Sequence, residues 1–152
     1  MRSFIAFVLF ISVSPAYPSV CEDSFLKIKF NEIVTAIAVE IADTHSKRKK
    51  GLMFRDSLDL YSGMLFIYDN PRKVSFWMKN TIFPLDMAFA DKRGKVVRIV
   101  ANTEPLSLDL IDGGENIQYV LEINAGLSED KNLFEGSLLL HPLINKNNTS
   151  PC

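Results

Sequence analysis

The sequence predicts a mainly β fold, a compact β-sandwich or barrel-like domain with one or two short helices. Three observations carry this. Apolar residues recur at every second position in several short runs, the period of a half-buried strand. Turn-forming residues separate those runs at close spacing, as in sandwiches and barrels. Helical patterns occur at only two places, after residue 42 and after residue 125.

Phe25–Phe30 alternates Leu26, Ile28 and Phe30 with Lys27 and Lys29, and Ile33–Ala42 returns with Ile37, Val39 and Ile41 on one face. Asp43 or Thr44 then caps a short helix, whose basic run at residues 47–50 suits a C-terminal turn before Gly51. That run reads as a solvated helix face. Residues 63–68, 73–79, 85–90 and 95–101 follow as short strands, with turn chemistry at Asn70-Pro71 and Asp91-Lys92-Arg93-Gly94. Residues 118–125 make another strand. Residues 126–136 read as a short helix with Ser128 as N-cap, and 137–140 as a final strand. The polar tail at 142–152 is expected to be mobile.

The first segment stands outside this fold. Met1-Arg2-Ser3 is a short positive start, followed by an apolar run at 4–13 and then Ser14-Pro15-Ala16. This is the order of a secretory signal, with cleavage expected before Tyr17. The run is roughly half the ~20 apolar residues a membrane span needs. The reading is therefore of an exported chain, periplasmic or secreted, with no membrane span once the signal is gone. The organisation is a signal at 1–16, a short segment at 17–24, one β-rich domain at 25–141 and the tail.

Both cysteines, Cys21 and Cys152, lie beyond the signal, and an even count in an exported protein predicts a disulfide between them. Closing so long a loop would stabilise the fold by up to about 5 kcal/mol in the chain-entropy description. Pro18-Ser19-Val20 before Cys21 is a poor match to a lipidation site. Net charge is −1, from 17 basic and 18 acidic residues, so there is no basic field for nucleic acid. No His/Cys/Asp cluster has metal-ligand spacing, and neither a metal nor a cofactor is expected.

Four segments stand out together and in order. They are Gly51-Leu52-Met53-Phe54-Arg55; Gly63-Met64-Leu65-Phe66; Phe76-Trp77-Met78-Lys79-Asn80-Thr81 with Pro84-Leu85-Asp86; and Tyr119-Val120-Leu121-Glu122 closing on Asn124-Ala125-Gly126. This set resembles the signature of the domain of unknown function 192 family. The resemblance spans roughly residues 33–136 and implies a compact β-sandwich-like fold with a short helix after the second strand, often exported. It supplies no established activity. Ser137 stands where the family tends to carry an acidic residue after its C-terminal glycine, which sets the last segment apart.

Pattern alone suggests a hairpin of 74–79 against 85–91 with Lys79 opposite Asp86. Met78 then faces Met87, Phe76 faces Phe89 and Trp77 faces Ala88. One face becomes Phe76, Met78, Met87 and Phe89; the other holds Trp77, Lys79, Asp86 and Ala88. A one-residue slip would mix the two. Arg55, Asn80 and Glu122 are the further residues expected near this polar face. Glu122 shares parity with Val120 and Asn124, opposite Tyr119, Leu121 and Ile123.

Three functions suit these residues. The first is a periplasmic binding or accessory module, with Trp77 stacking on a small polar or carbohydrate-like ligand beside Lys79, Asn80, Asp86, Arg55 and Glu122. The second is a hydrolase or lyase using Asp86 with Lys79 or Glu122, two carboxylates able to do acid/base work on a sugar. The third is an envelope scaffold in which the same residues are purely architectural. His45 and His141 lie outside the signature, so no Ser–His or Cys–His pair is visible. The methionines after Met1 fall at apolar positions and read as core.

Overall fold

A computed structural model describes residues 24–144; Cys21, Cys152, the signal segment and residues 145–152 lie outside the described residues. The fold is mainly β, a single curled seven-stranded half-barrel sheet with two short helices. In chain order the elements are β1 (Phe25–Phe30), β2 (Ile33–Ala42), α1 (His45–Lys50), β3 (Ser62–Phe76), β4 (Leu85–Ala90), β5 (Val96–Val100), β6 (Ile111–Asn124), α2 (Leu127–Asp130) and β7 (Leu138–Leu140). The strand order is β5-β4-β6-β3-β2-β1-β7.

The curl brings the two edges towards each other. Lys95 and Leu138 form an antiparallel bridge, and Val96 N donates to Ser137 O at 2.8 Å while Leu139 N donates to Gly94 O at 2.8 Å. The barrel-like alternative is thus the one realised, and both open edges are partly paired. β2 and β3 run parallel, which requires the crossover supplied by α1 and the loop after it. Thr44 is the cap of α1, accepting from Lys47 N at 3.2 Å.

Alternation sorts the apolar residues onto the two faces of this sheet. Leu26, Ile28, Ile37, Leu65, Ala88, Ala90, Tyr119, Leu121, Ile123 and Leu139 fill the concave side. Small Ala88 and Ala90 sit there because a tightly curled interior has little room. Met64, Phe66, Met78, Leu85, Met87, Phe89 and Val120 form a second cluster on the other face, with Phe76 packed against it. β4 is buried along its whole length because both faces are covered.

The second cluster is covered by the sheet's own ribbon. The expected separate strands at 63–68 and 73–79 are one long strand, β3, with register shifts between Ile67 and Ser75. Bulges bend a strand strongly. The expected turn at Asn70-Pro71 lies within this irregular stretch. Gly113 shows how far the ribbon bends. Seven residues along β6 from Val120, it would lie about 20 Å away if the strand were straight. A Cβ on Gly113 would instead meet the ring of Phe89, the register partner of Val120, at 2.4 Å. Glycine is what lets the backbone settle on that ring.

Three expectations are corrected here. β3 and β4 are not a hairpin: β6 lies between them, and Met87 pairs with Glu122 and Val100. The shared apolar face of Phe76, Met78, Met87 and Phe89 is nonetheless formed, by the folded ribbon rather than by cross-strand pairing. The helix expected over 126–136 is a single turn, Leu127–Asp130. Its N-cap is Gly126 at φ 85° rather than Ser128. Part of the expected mobile tail is packed, since Ile144 is buried and its carbonyl accepts from the Tyr119 hydroxyl at 3.3 Å.

Candidate functional site

Glu122 organises the site. It pairs across the sheet with Met64 on one side and Met87 on the other, so its side chain projects from the face of the second apolar cluster. Only 5% of its surface is exposed, and its carboxyl makes no hydrogen bond or ion pair among the described residues. No fully enclosed side-chain polar atom there lacks a partner, so this carboxyl must keep an opening. It opens on a cavity of about 260 Å³.

The walls of that cavity come from α1 and the turn after it, β3 and the loop after it, β4 and β6. α1 and the turn after it contribute Arg48, Lys49, Lys50, Gly51, Leu52 and Met53. β3 contributes Phe66, Tyr68, Ser75 and Phe76, and the loop after it contributes Trp77, Met78 and Thr81. All four signature segments therefore meet here, through Gly51 to Met53, Phe66, the 76–85 stretch and Glu122. Burial alone pushes the Glu122 carboxyl from an ordinary 4.5 up to about 8, with no neighbouring cation to offset it. Tyr68 is raised as well, first by burial, while Arg48 and Arg72 pull it down from 5.0 and 5.6 Å above its ring.

Trp77 lies at the mouth, 47% exposed, with the Lys79 ammonium 5.1 Å over its ring. It is not a core residue. Asn80 adopts a left-handed turn at φ 56°, and its carbonyl accepts from Phe54 N at 2.9 Å, tying the 51–55 segment to the 76–81 loop. It supports the mouth without lining it.

Asp86 and Arg55 are elsewhere. Asp86 pairs with Ile123, so it points to the concave side, away from Glu122. Its Oδ1 accepts from Asn102 N at 2.8 Å. Its Oδ2 accepts from Gly126 N at 2.9 Å, Ser128 N at 3.1 Å and Ser128 Oγ at 2.6 Å. This carboxylate, 1% exposed, serves as the side-chain cap that Gly126 cannot give α2. The expected Lys79–Asp86 pair is not formed. Two carboxylates on opposite faces of a sheet cannot flank one glycosidic bond, which removes the Asp86–Glu122 acid/base pair. Arg55 forms a two-pronged pair with Glu40 in a separate surface hollow.

Sequence reasoning missed Arg48, Tyr68, Met53 and Thr81. Parity offered a signal for Tyr68, because Phe66 and Tyr68 continue the face of Met64, which opposes Glu122. Arg48 was hidden in a basic run read as solvated. Its Nη1 in fact donates to Asp43 O at 2.6 Å and Ile67 O at 2.7 Å, and it is partly buried.

Comparison with known proteins identifies the family. The profile of domain of unknown function 192, described as an uncharacterized ACR, matches residues 26–141. The chain belongs to this family. No curated protein matches the chain. Among solved structures, the domain is similar to a candidate transcription regulator from Sinorhizobium meliloti 1021 at 36% identity and a TM-score of 0.74, covering 77% of this chain and 92% of that one. It is also similar to a protein of unknown function from Novosphingobium aromaticivorans DSM 12444 at 31% identity and a TM-score of 0.73, covering 76% and 83%. Membership in the domain of unknown function 192 family thus goes with a fold shared by both solved structures.

Proposed function

We propose that this family member is an exported binding or accessory module of the periplasm that holds a small polar ligand in the Glu122 cavity. The observation that carries the reading is the Glu122 carboxyl. Buried polar groups are nearly always hydrogen-bonded, and one that is not costs the fold free energy. A carboxyl that no described residue engages, opening on an aromatic-walled cavity, supports a ligand-binding site. A purely architectural motif predicts a buried tryptophan and a satisfied acid; Trp77 is half exposed and Glu122 has no partner among the described residues. The transcription-regulator description of the Sinorhizobium protein suggests a sensory use of such a site, though the net charge of −1 supplies no field for DNA.

Trp77 is the only tryptophan and stands at the mouth, so its emission reports on occupancy. Trp77→Phe is expected to change stability by less than about 1 kcal/mol, as for an exposed site. A compound that quenches Trp77 saturably should also raise the melting temperature of Trp77→Phe less than that of the parent. A drop of several degrees in the unliganded variant, with no compound acting on either protein, would return Trp77 to the core and end the binding reading.

Export rests on the order of Met1-Arg2-Ser3, the apolar run and Ser14-Pro15-Ala16. The intact mass of protein recovered from the periplasm should correspond to a chain beginning at Tyr17. An unprocessed chain beginning at Met1 and confined to the cytosol would refute it.

A further inference from the structure

The charges around the cavity are arranged by depth. The acid is at the floor, while Arg48, Lys49 and Lys50 lie on the α1 side of the mouth, with Lys49 and Lys50 exposed to solvent. Arg48 is already committed to two carbonyls and to the face of Tyr68. Between floor and mouth the walls are Phe66, Tyr68, Phe76 and Trp77, with Met53 and Met78, and only Ser75 and Thr81 add small side-chain hydroxyls. A neutral sugar would call for several polar side chains placed around its hydroxyls. Aromatic faces above a single acid instead favour a cation, which the rings attract and whose approach favours the ionised form of Glu122, so that binding releases the proton the buried acid holds. The rings of this region already attract the protein's own cations, Arg48 and Arg72 over Tyr68 and Lys79 over Trp77.

From this layout we infer that the ligand is a small zwitterion, with its ammonium group on Glu122 and its carboxylate or phosphate at Lys49 and Lys50. The inference rests on the binding reading above and narrows it to one ligand class. The ammonium supplies the donor that Glu122 lacks, the aromatic walls enclose it, and the anionic end stays at the wet mouth where exposed lysines are available. Ammonium-bearing compounds without an anion should bind more weakly, because they forgo the rim. Anions without an ammonium should not bind, since they bring no cation to the rings and none to draw Glu122 into its ionised form.

The test is a titration series on the mature chain, read by calorimetry and Trp77 emission. The zwitterions are glycine, β-alanine, 4-aminobutyrate, 5-aminovalerate, phosphoethanolamine and phosphocholine. Ethanolamine, choline, butyrate, glucose and N-acetylglucosamine are the controls. At least one zwitterion should bind saturably, its anion-free counterpart about tenfold or more weaker, and butyrate not measurably. Glu122→Gln, which keeps the shape and cannot ionise, should abolish zwitterion binding while the far-ultraviolet circular dichroism stays unchanged. Lys49→Ala with Lys50→Ala should bring the zwitterion down to the level of its anion-free counterpart. Binding of the neutral sugars but of none of the zwitterions would overturn the ligand class and leave the binding module standing. Zwitterion binding that survives Glu122→Gln would overturn the placement. Silence across the whole series would overturn the inference and count against the binding module as well.

Discussion

Asp86→Ala is expected to lower stability by about 4 kcal/mol, a loss large enough to require a named cause. The cause is the removal of one acceptor from four donors at once. The Asn102, Gly126 and Ser128 amides and the Ser128 hydroxyl would be left facing an apolar gap beneath α2. Hydrogen bonds to a charged group are the stronger kind, and buried donors left unmade are costly. For a domain of this size the melting temperature should fall by roughly 10–20 °C. Asp86→Asn should fall nearly as far, because its amide would set a donor against the Gly126 and Ser128 donors. Lys79→Ala, altering only the surface contact over Trp77, should cost less than about 1 kcal/mol. A double-mutant cycle between Lys79 and Asp86 should show no coupling, as expected of residues that do not touch.

Glu122→Gln carries the second large effect, and its sign depends on pH. Burial raises the folded carboxyl from 4.5 to about 8, so the folded state holds a proton that the unfolded state has released across that interval. Stability from this group is therefore fully present below about pH 4.5 and is lost as pH rises through 8, at up to about 1.4 kcal/mol per pH unit. Glutamine cannot ionise and escapes that loss. The melting temperature of Glu122→Gln should stay close to the parent's near pH 4.5 and exceed it progressively up to pH 8.5, by several kcal/mol or roughly 10 °C. All other titrating groups are common to both proteins, so the difference between the two melting curves isolates Glu122. A difference that stays constant with pH would mean that the folded carboxyl titrates normally.

Local periodicity carried most of the fold. β1, β2 and β4 are legible because their alternation is uninterrupted, and α1 because Thr44 and the basic last turn agree on its ends. The long-range pairing was not legible. Pattern could see that Phe76, Met78, Met87 and Phe89 belong together, yet two strands can share an apolar cluster by direct pairing or by one folding over the other. The bulges between Ile67 and Ser75 and the Gly113 contact with Phe89 decide for folding over, and neither announces itself in hydrophobicity. The first half of β6 was missed as well: the expected strand began at residue 118, whereas β6 begins at Ile111.

The site was half legible. Trp77 and Glu122 were drawn out by their unusual chemistry at strand positions, and both line the cavity. Asp86 was grouped with them only through the hairpin register; with β6 interposed, its parity sends it to the opposite face, where it caps α2. Arg55 followed a glycine into the 51–55 segment but pairs with Glu40 outside the cavity, a partner that only the β2–β3 arrangement brings near. Arg48 and Tyr68 needed the crossover of α1 to be seen together.

The central claim is that Glu122 is a buried acid without an internal partner, held open for a ligand. Its most direct measurement is a carbon-13 titration of the Glu122 side-chain carboxyl in the ligand-free protein, assigned by its loss in Glu122→Gln. The midpoint should lie near 8. A midpoint near 4.5 would mean that the carboxyl is solvated or paired within the fold, and would contradict the account of Glu122 as a buried acid at the cavity floor.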